Sequence, residues 1–134
     1  MSNLDKQLSL SLLLLRASVF LVMLMWTVDK FVNPEHAIKL YEKFYFIDGL
    51  GTVAMYAIGG AEIVLLLLFL AGYKKFYTYG AVLLLHSVST LSAFKQYFSP
   101  FDGANLLFFA AWPMLAACLA LFLLRDHDRQ LSLA

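Results

Sequence analysis

Residues 51–72 of this chain read GTVAMYAIGGAEIVLLLLFLAG, an almost unbroken apolar stretch with one charged residue, Glu62, near its middle. A helix needs about 20 such residues to cross a bilayer. Similar stretches occur at residues 8–28, 76–94 and 104–124. The whole chain is 62% hydrophobic and only 14% charged, whereas soluble domains carry about 25% charged residues. We therefore predict an all-α membrane protein, a single domain of residues 1–134 built as a four-transmembrane-helix bundle.

The distribution of basic residues predicts the orientation of this bundle. The first apolar stretch is interpreted as a span rather than a cleaved signal, because Arg16 interrupts it and no small-residue cleavage pattern follows. Four spans place both termini on one side. That side carries five basic residues, Lys6, Lys74, Lys75, Arg125 and Arg129, and the other carries four, Lys30, Lys39, Lys43 and Lys95. The positive-inside rule then predicts cytoplasmic termini.

The long connection between the first two spans contains a predicted surface helix. Residues 29–50 read DKFVNPEHAIKLYEKFYFIDGL, in which Asn33 and Pro34 are typical of a helix start. Apolar and aromatic residues then recur at helical spacing, which predicts a short amphipathic helix over residues 34–46, lying at the membrane interface. A lid over the outer mouth of the bundle is the functional alternative.

Three of the four spans each contain one ionisable residue at a similar predicted depth: Arg16, Glu62 and His86. Such residues usually face the bundle interior and pair with one another. Consecutive antiparallel helices are usually neighbours, so Arg16 and Glu62 are predicted to form a buried ion pair. The small residues 59–61 beside Glu62 allow a second helix to approach closely.

Other polar and aromatic residues extend this predicted interior. Ser89 and Thr90 lie one turn beyond His86, and the face of Arg16 continues through Thr27 and Lys30, with Trp26 beside it. Purely structural roles remain open: an Arg16–Glu62 clamp, a core histidine, and hydroxyl groups bonded to their own helix carbonyls.

Several chemistries are excluded by the residues themselves. Only His86 among the three histidines lies inside a span, so neither a bis-histidine haem nor a metal site is predicted. Cys118 is the only cysteine, which excludes an internal disulfide couple. A net charge of +1 gives no indication of a nucleic-acid partner.

Two segments carry a resemblance to a known family. The first is LLLLRASVFLVMLMWTVDKFVNP, with an arginine in span one and an Asn-Pro end, and the second is AIGGAEIVLLLLFLAGYKKF, with a small-residue face, Glu62 and a basic turn. The chain resembles the DoxX-like membrane proteins of the DoxX, DoxD and MauE type over most of its length. The resemblance implies a multi-pass protein of the bacterial inner membrane that is linked to redox work.

Three functions follow as hypotheses. The first is a quinone-interacting or membrane-anchoring subunit of an oxidoreductase, with Arg16, Glu62 and His86 as candidate catalytic residues. Its candidate quinone contacts are Trp26, Ser89, Thr90 and Trp112. The second is a non-catalytic accessory subunit or assembly factor of a larger complex, and the third is a small proton-coupled transporter. Membrane lipid and further protein subunits, or other copies of this chain, are the expected partners.

Overall fold

The structure is a computed structural model that describes residues 2–133. Those residues form helices and connecting turns without any β-strand, which confirms the all-helical prediction. The α-helices are α1 (Asn3–Val32), α2 (Pro34–Tyr45), α3 (Thr52–Ala71), α4 (Lys75–Ser92), α5 (Phe94–Tyr97) and α6 (Ala111–Leu123). Two 3₁₀ segments, Asn105–Ala110 and Arg125–His127, precede and follow α6.

Among residues 2–133, three helical segments are long and apolar enough to cross a membrane, namely Asn3–Val32, Thr52–Ala71 and Asn105–Leu123. Helix α4 occupies the third predicted span but is less apolar, because it contains His86, five hydroxyl side chains outside its tyrosines, and a lysine at its start. Many large apolar side chains on the outer faces are exposed, among them Leu14, Leu21, Val64 and Leu67. A surface of this kind beside long apolar helices indicates a membrane protein.

Helix α1 is longer than the predicted span 8–28 at both ends. At its start the Ser2 hydroxyl accepts a hydrogen bond from the Asp5 backbone, and the Asp5 carboxylate accepts one from the Ser2 backbone. This capping box satisfies N–H groups that the first turn would leave without partners. A polar first turn is therefore helical although it adds nothing to the apolar stretch.

Helices α1 and α2 meet at Asn33, which ends one and begins the other. The helix predicted over residues 34–46 is present as Pro34–Tyr45. The Asn33 side chain does not cap α2. The backbone of Asn33 instead ends α1, where its N–H donates to the Asp29 carbonyl at 2.8 Å. The two helices are thus joined without a flexible linker.

The fourth apolar stretch is not a uniform α-helix. It begins as the 3₁₀ segment Asn105–Ala110 and becomes the α-helix α6 at Ala111. Pro113 lies at the third position of α6, where its ring would clash with the Phe109 carbonyl of a continuous α-helix. The proline therefore marks a change of helix type rather than a kink inside one long helix.

The bundle has two distinct ends. Helices α1 and α3 pack antiparallel, with Phe31 beside Gly59 and Arg16 beside Gly72. The turn between α3 and α4 defines the turn end, and α2 covers the opposite α2 end. The buried core consists of Leu12, Val19, Leu66, Phe69, Tyr79, Val82, Cys118 and Leu121.

Candidate functional site

The polar residues of the bundle form two separate groups rather than one. Arg16 does not contact Glu62, so the predicted Arg16–Glu62 pair is wrong. Glu62 pairs with Lys30 near the α2 end, and Arg16 pairs with Asp128 at the turn end. The register of α1 against α3 explains the error, since it sets Arg16 level with the turn at Gly72 and sets Phe31 beside Gly59.

The Lys30–Glu62 pair connects α1 to α3. Lys30 Nζ lies 2.9 Å from Glu62 Oε1, without the alignment of a hydrogen bond. The Thr27 hydroxyl lies 3.3 Å from Glu62 Oε2 and also donates to the Met23 carbonyl. The side chains of Lys30 and Glu62 are only 9% and 19% exposed, so the two charges depend on each other for compensation.

Close approach of the two helices makes this pairing possible. A Cβ atom at Gly59 would lie 2.7 Å from the Phe31 ring, a distance that side chains do not tolerate. The small-residue stretch beside Glu62 was predicted to let a second helix approach closely, and at Gly59 the space is occupied by the Phe31 side chain of α1. Gly60 has open space where its Cβ would be and has no comparable role.

A large apolar cavity lies beside the pair, between α1, α2, α3, α4 and the fourth stretch. Its volume is about 1420 Å³, and both Lys30 and Glu62 line it. Its wall also includes His86, Ser89 and Trp26, three of the predicted site residues. The aromatic side chains of the wall are Trp26, Tyr41, Phe44, Tyr45, Phe46, Phe94, Tyr97 and Phe108.

His86 lines this cavity and forms a hydrogen bond through one ring nitrogen. Its Nε2 lies 3.0 Å from the carbonyl oxygen of Ala111. A carbonyl oxygen only accepts, so Nε2 is the donor of this hydrogen bond, and Nδ1 has no part in it. His86 does not touch Glu62, but both residues line the same space.

A hydroxyl pair links α2 to α4 at the cavity wall. The Tyr45 and Ser89 hydroxyl oxygens are 2.7 Å apart, and either one is able to donate. Tyr41 lies one turn before Tyr45, and the Lys30 ammonium sits 5.7 Å from the centre of its ring. Helix α2 therefore contributes polar groups to the cavity as well as covering it.

Two predicted contacts lie outside the cavity wall. The Thr90 hydroxyl is buried and donates to the His86 carbonyl at 2.8 Å, within its own helix. Trp112 packs on the Tyr97 ring, with centroids 5.5 Å apart, and is 43% exposed. Both residues neighbour the site without facing it.

The second polar group closes the turn end. Arg16 Nη1 lies 3.6 Å from Asp128 Oδ2, and the Tyr79 hydroxyl donates to the same carboxylate oxygen at 2.5 Å. Arg16 also donates to the backbone carbonyls of Gln130 and Leu131. The chain after α6 thus folds back against the bundle and compensates a fully buried guanidinium.

Asp128 and Tyr79 were not among the predicted site residues. Asp128 comes after the last apolar stretch, and nothing in its local sequence indicates burial. Lys30 had a clearer signal, because Arg16, Thr27 and Lys30 were predicted on one face of the first helix. All three are buried, so that face prediction is confirmed, although its residues have different partners.

No protein-family model, curated protein or solved structure matches this chain.

Proposed function

We propose that this chain is a DoxX-like protein of the bacterial inner membrane that crosses the bilayer four times. Three apolar helices of sufficient length support this placement. Helix α4 supplies the fourth span in this proposal, since its 18 residues extend about 27 Å, close to the thickness of the hydrocarbon core. Its less apolar face is turned toward the cavity through His86 and Ser89. Helix α2 then lies at the outer interface, and both termini are cytoplasmic.

Labelling of introduced cysteines tests this placement. In a Cys118→Ala background, we expect a membrane-impermeant maleimide added outside the cell to label Lys43→Cys but neither Ser2→Cys nor Gln130→Cys. All three positions are exposed. Labelling of Ser2→Cys from outside the cell, with Lys43→Cys unlabelled, would show that the protein has the opposite orientation. Labelling of one terminus only would contradict an even number of spans.

Within this membrane placement, we propose that the cavity binds a quinone and that the chain is a quinone-interacting subunit of an oxidoreductase. The observation that supports this is the coexistence, in one apolar aromatic cavity, of hydrogen-bond donors and proton acceptors. A quinone ring is planar and apolar with two carbonyl oxygens that accept hydrogen bonds. The Tyr45–Ser89 hydroxyl pair and the Lys30 ammonium are among the hydrogen-bond donors that line the cavity.

Proton transfer is the contribution that this chain would make to quinone chemistry. Reduction of a quinone consumes two electrons and two protons, and oxidation of the quinol releases them. The groups lining the cavity that are able to take up a proton include His86, through Nδ1, and the carboxylates of Glu62 and Asp29. In this proposal a partner subunit with a redox centre supplies or accepts the electrons, and the single cysteine of this chain excludes an internal disulfide couple for that task.

The two tryptophans make quinone binding measurable in the purified protein. Trp26 lines the cavity and Trp112 does not. A short-tailed ubiquinone should therefore quench the fluorescence of Trp112→Phe, in which Trp26 remains, along a saturable curve. Trp26→Phe, in which Trp112 remains, should show only the linear quenching caused by quinone dissolved in the micelle.

His86→Leu separates a functional histidine from a structural one. Leucine suits an apolar helix, so the folded bundle should persist while saturable quenching weakens and quinone-dependent activity of the co-purified complex is lost. Thr90→Val is the matched control, because Thr90 lies on the same helix outside the cavity wall. Quenching that stays linear in the parent protein, together with full activity of His86→Leu, would reject the quinone site and leave an accessory subunit or assembly factor.

A further inference from the structure

A second pocket lies at the turn end of the bundle, and it shares no residue with the apolar cavity. Its volume is about 780 Å³, and it is formed by the α3–α4 turn and the segment after α6. The lining residues are Lys74, Lys75, Phe76, Tyr77, Arg125, Asp126 and Arg129. Four of them are cationic and one is acidic, although the net charge of the whole chain is only +1. Positive charge is therefore concentrated at this pocket.

One of these cations is held in a defined position. The Arg125 guanidinium lies 4.5 Å from the Phe122 ring centre and 5.4 Å from that of Phe76. Its Nη1 donates to the Phe122 carbonyl at 2.7 Å. Stacking and this hydrogen bond orient the planar group, and the N–H groups of such a guanidinium match the geometry of a phosphate.

The other three cations of the pocket differ in their exposure and in their contacts with the rest of the chain. Lys75 donates to the Asp128 carbonyl and belongs partly to the buried Arg16 group. Lys74 and Arg129 are exposed at the rim. Lys74 has a left-handed backbone, with φ of 46°, as the residue before α4. The Lys74 ammonium lies 5.7 Å from the Tyr73 ring centre, and Arg129 Nε donates to the Asp126 carbonyl at 3.3 Å. The pocket thus combines one cation oriented by ring stacking with two exposed cations at its rim.

The walls of the pocket also expose large aromatic surfaces. Phe76 is 58% exposed and Tyr77 is 70% exposed. A free inorganic anion gains nothing from such rings, whereas a lipid brings acyl chains beside its phosphate. Aromatic rings next to basic residues are also the usual composition of a membrane–water interface.

We propose that this pocket binds the phosphate of an anionic glycerophospholipid, with the acyl chains against Phe76 and Tyr77. Basic pockets at the cytoplasmic ends of membrane helices recognise such headgroups through this combination of charges. The inference rests on the proposed membrane placement with the turn end in the cytoplasm. It is independent of the quinone proposal, because the two pockets have no residue in common.

The test compares lipids added to the detergent-purified protein. Phosphatidylglycerol should raise the melting temperature and remain bound in native mass spectra, whereas phosphatidylcholine and inorganic phosphate should do neither. The Lys74→Gln/Arg129→Gln variant removes two exposed rim cations. Each cation near a membrane surface contributes about fivefold in affinity, so this variant should bind phosphatidylglycerol about 25-fold more weakly. Arg125→Lys, which keeps the charge but not the planar stacking, should show a smaller loss.

The Lys6→Gln/Lys39→Gln variant is the matched control, since it removes the same charge from exposed positions outside the pocket. It should bind phosphatidylglycerol like the parent. Equal binding of phosphatidylcholine, equal weakening in the control, or stabilisation by inorganic phosphate alone would overturn the lipid site. Saturable quinone quenching of the rim variant, measured in parallel, separates failure of this site from failure of the quinone site.

Discussion

Arg16 and Asp128 form a buried ion pair at the turn end, with Nη1 and Oδ2 3.6 Å apart and side chains 1% and 0% exposed. The Tyr79 hydroxyl joins them, as it donates to Asp128 and lies 3.4 Å from Arg16 Nη1. The geometry is incomplete, because Arg16 Nε and Asp128 Oδ1 have no hydrogen-bond partner among the described residues. A pair of this kind stabilises the fold chiefly by preventing an uncompensated charge.

Removal of one partner should therefore be far more damaging than removal of both. We expect Asp128→Ala to lower the free energy of unfolding by about 3–5 kcal/mol, because Arg16 would remain buried without its counter-charge. Arg16→Met/Asp128→Ala should be milder than the sum of the two single changes. Denaturant unfolding in detergent measures this coupling. Arg16→Met combined with Glu62→Gln should be additive, since those two residues are not partners, and coupling there would contradict the structure.

The segment after α6 should act as a strap on the bundle. Residues 130–131 give two carbonyls to Arg16, and the Leu133 N–H donates to the Ala71 carbonyl at 2.8 Å. Deletion of residues 130–134 should cost about 3–6 kcal/mol, because the two hydrogen bonds to the Arg16 guanidinium contribute about 1.5–3 kcal/mol each. Gln130→Ala keeps the backbone carbonyl and should leave stability unchanged. Equal melting temperatures for the parent and the deletion would show that the strap contributes nothing.

The helices themselves could be predicted from the sequence, because apolar length and helix-start residues are local signals. The partner of Arg16 could not. The predicted depth of Arg16 assumed a span that starts at Leu8. Helix α1 instead starts at Asn3, and packing against α3 sets its register. Asp128 lies outside every apolar stretch, so only the return of the chain after α6 brings it to Arg16.

Part of the candidate site could also be predicted from the sequence, because helical spacing is a local signal. Glu62, His86, Ser89 and Trp26 line one cavity, as helical spacing and similar depth suggested. Thr90 follows Ser89 directly, and a one-residue step rotates a side chain by about 100° around a helix, which turns Thr90 away. The cavity's contributions from α2, such as Tyr45, depend on how α2 folds over the bundle, which no local pattern in α2 indicates.

The Lys30–Glu62 pair should respond to mutation more weakly than the Arg16 pair. The Glu62 side chain is 19% exposed, whereas Asp128 and Arg16 are almost fully buried, so solvent compensates part of the Glu62 charge when Lys30 is removed. We expect Lys30→Met to cost about 1–3 kcal/mol. The charge swap Lys30→Glu/Glu62→Lys should recover part of that loss. Lys39→Met on exposed α2 is the control and should have no effect. A swap as damaging as the sum of its single changes would show that the pair does not interact.

Tyr41 gives the α2 end a dependence on alkaline pH. Burial, and then the negative charge of Glu62, raise the pKa of Tyr41 from 10 to about 12. The folded state therefore favours the protonated phenol. The resulting stability is fully present below pH 10 and is lost as the pH rises from 10 toward 12.

We expect the unfolding midpoint of the parent to fall more steeply between pH 10 and 12 than that of Tyr41→Phe, which has no hydroxyl to ionise. Ultraviolet difference spectra of phenolate formation in the two proteins provide the direct measurement. Identical pH profiles for parent and variant would show that Tyr41 ionises as freely as it does in the unfolded chain.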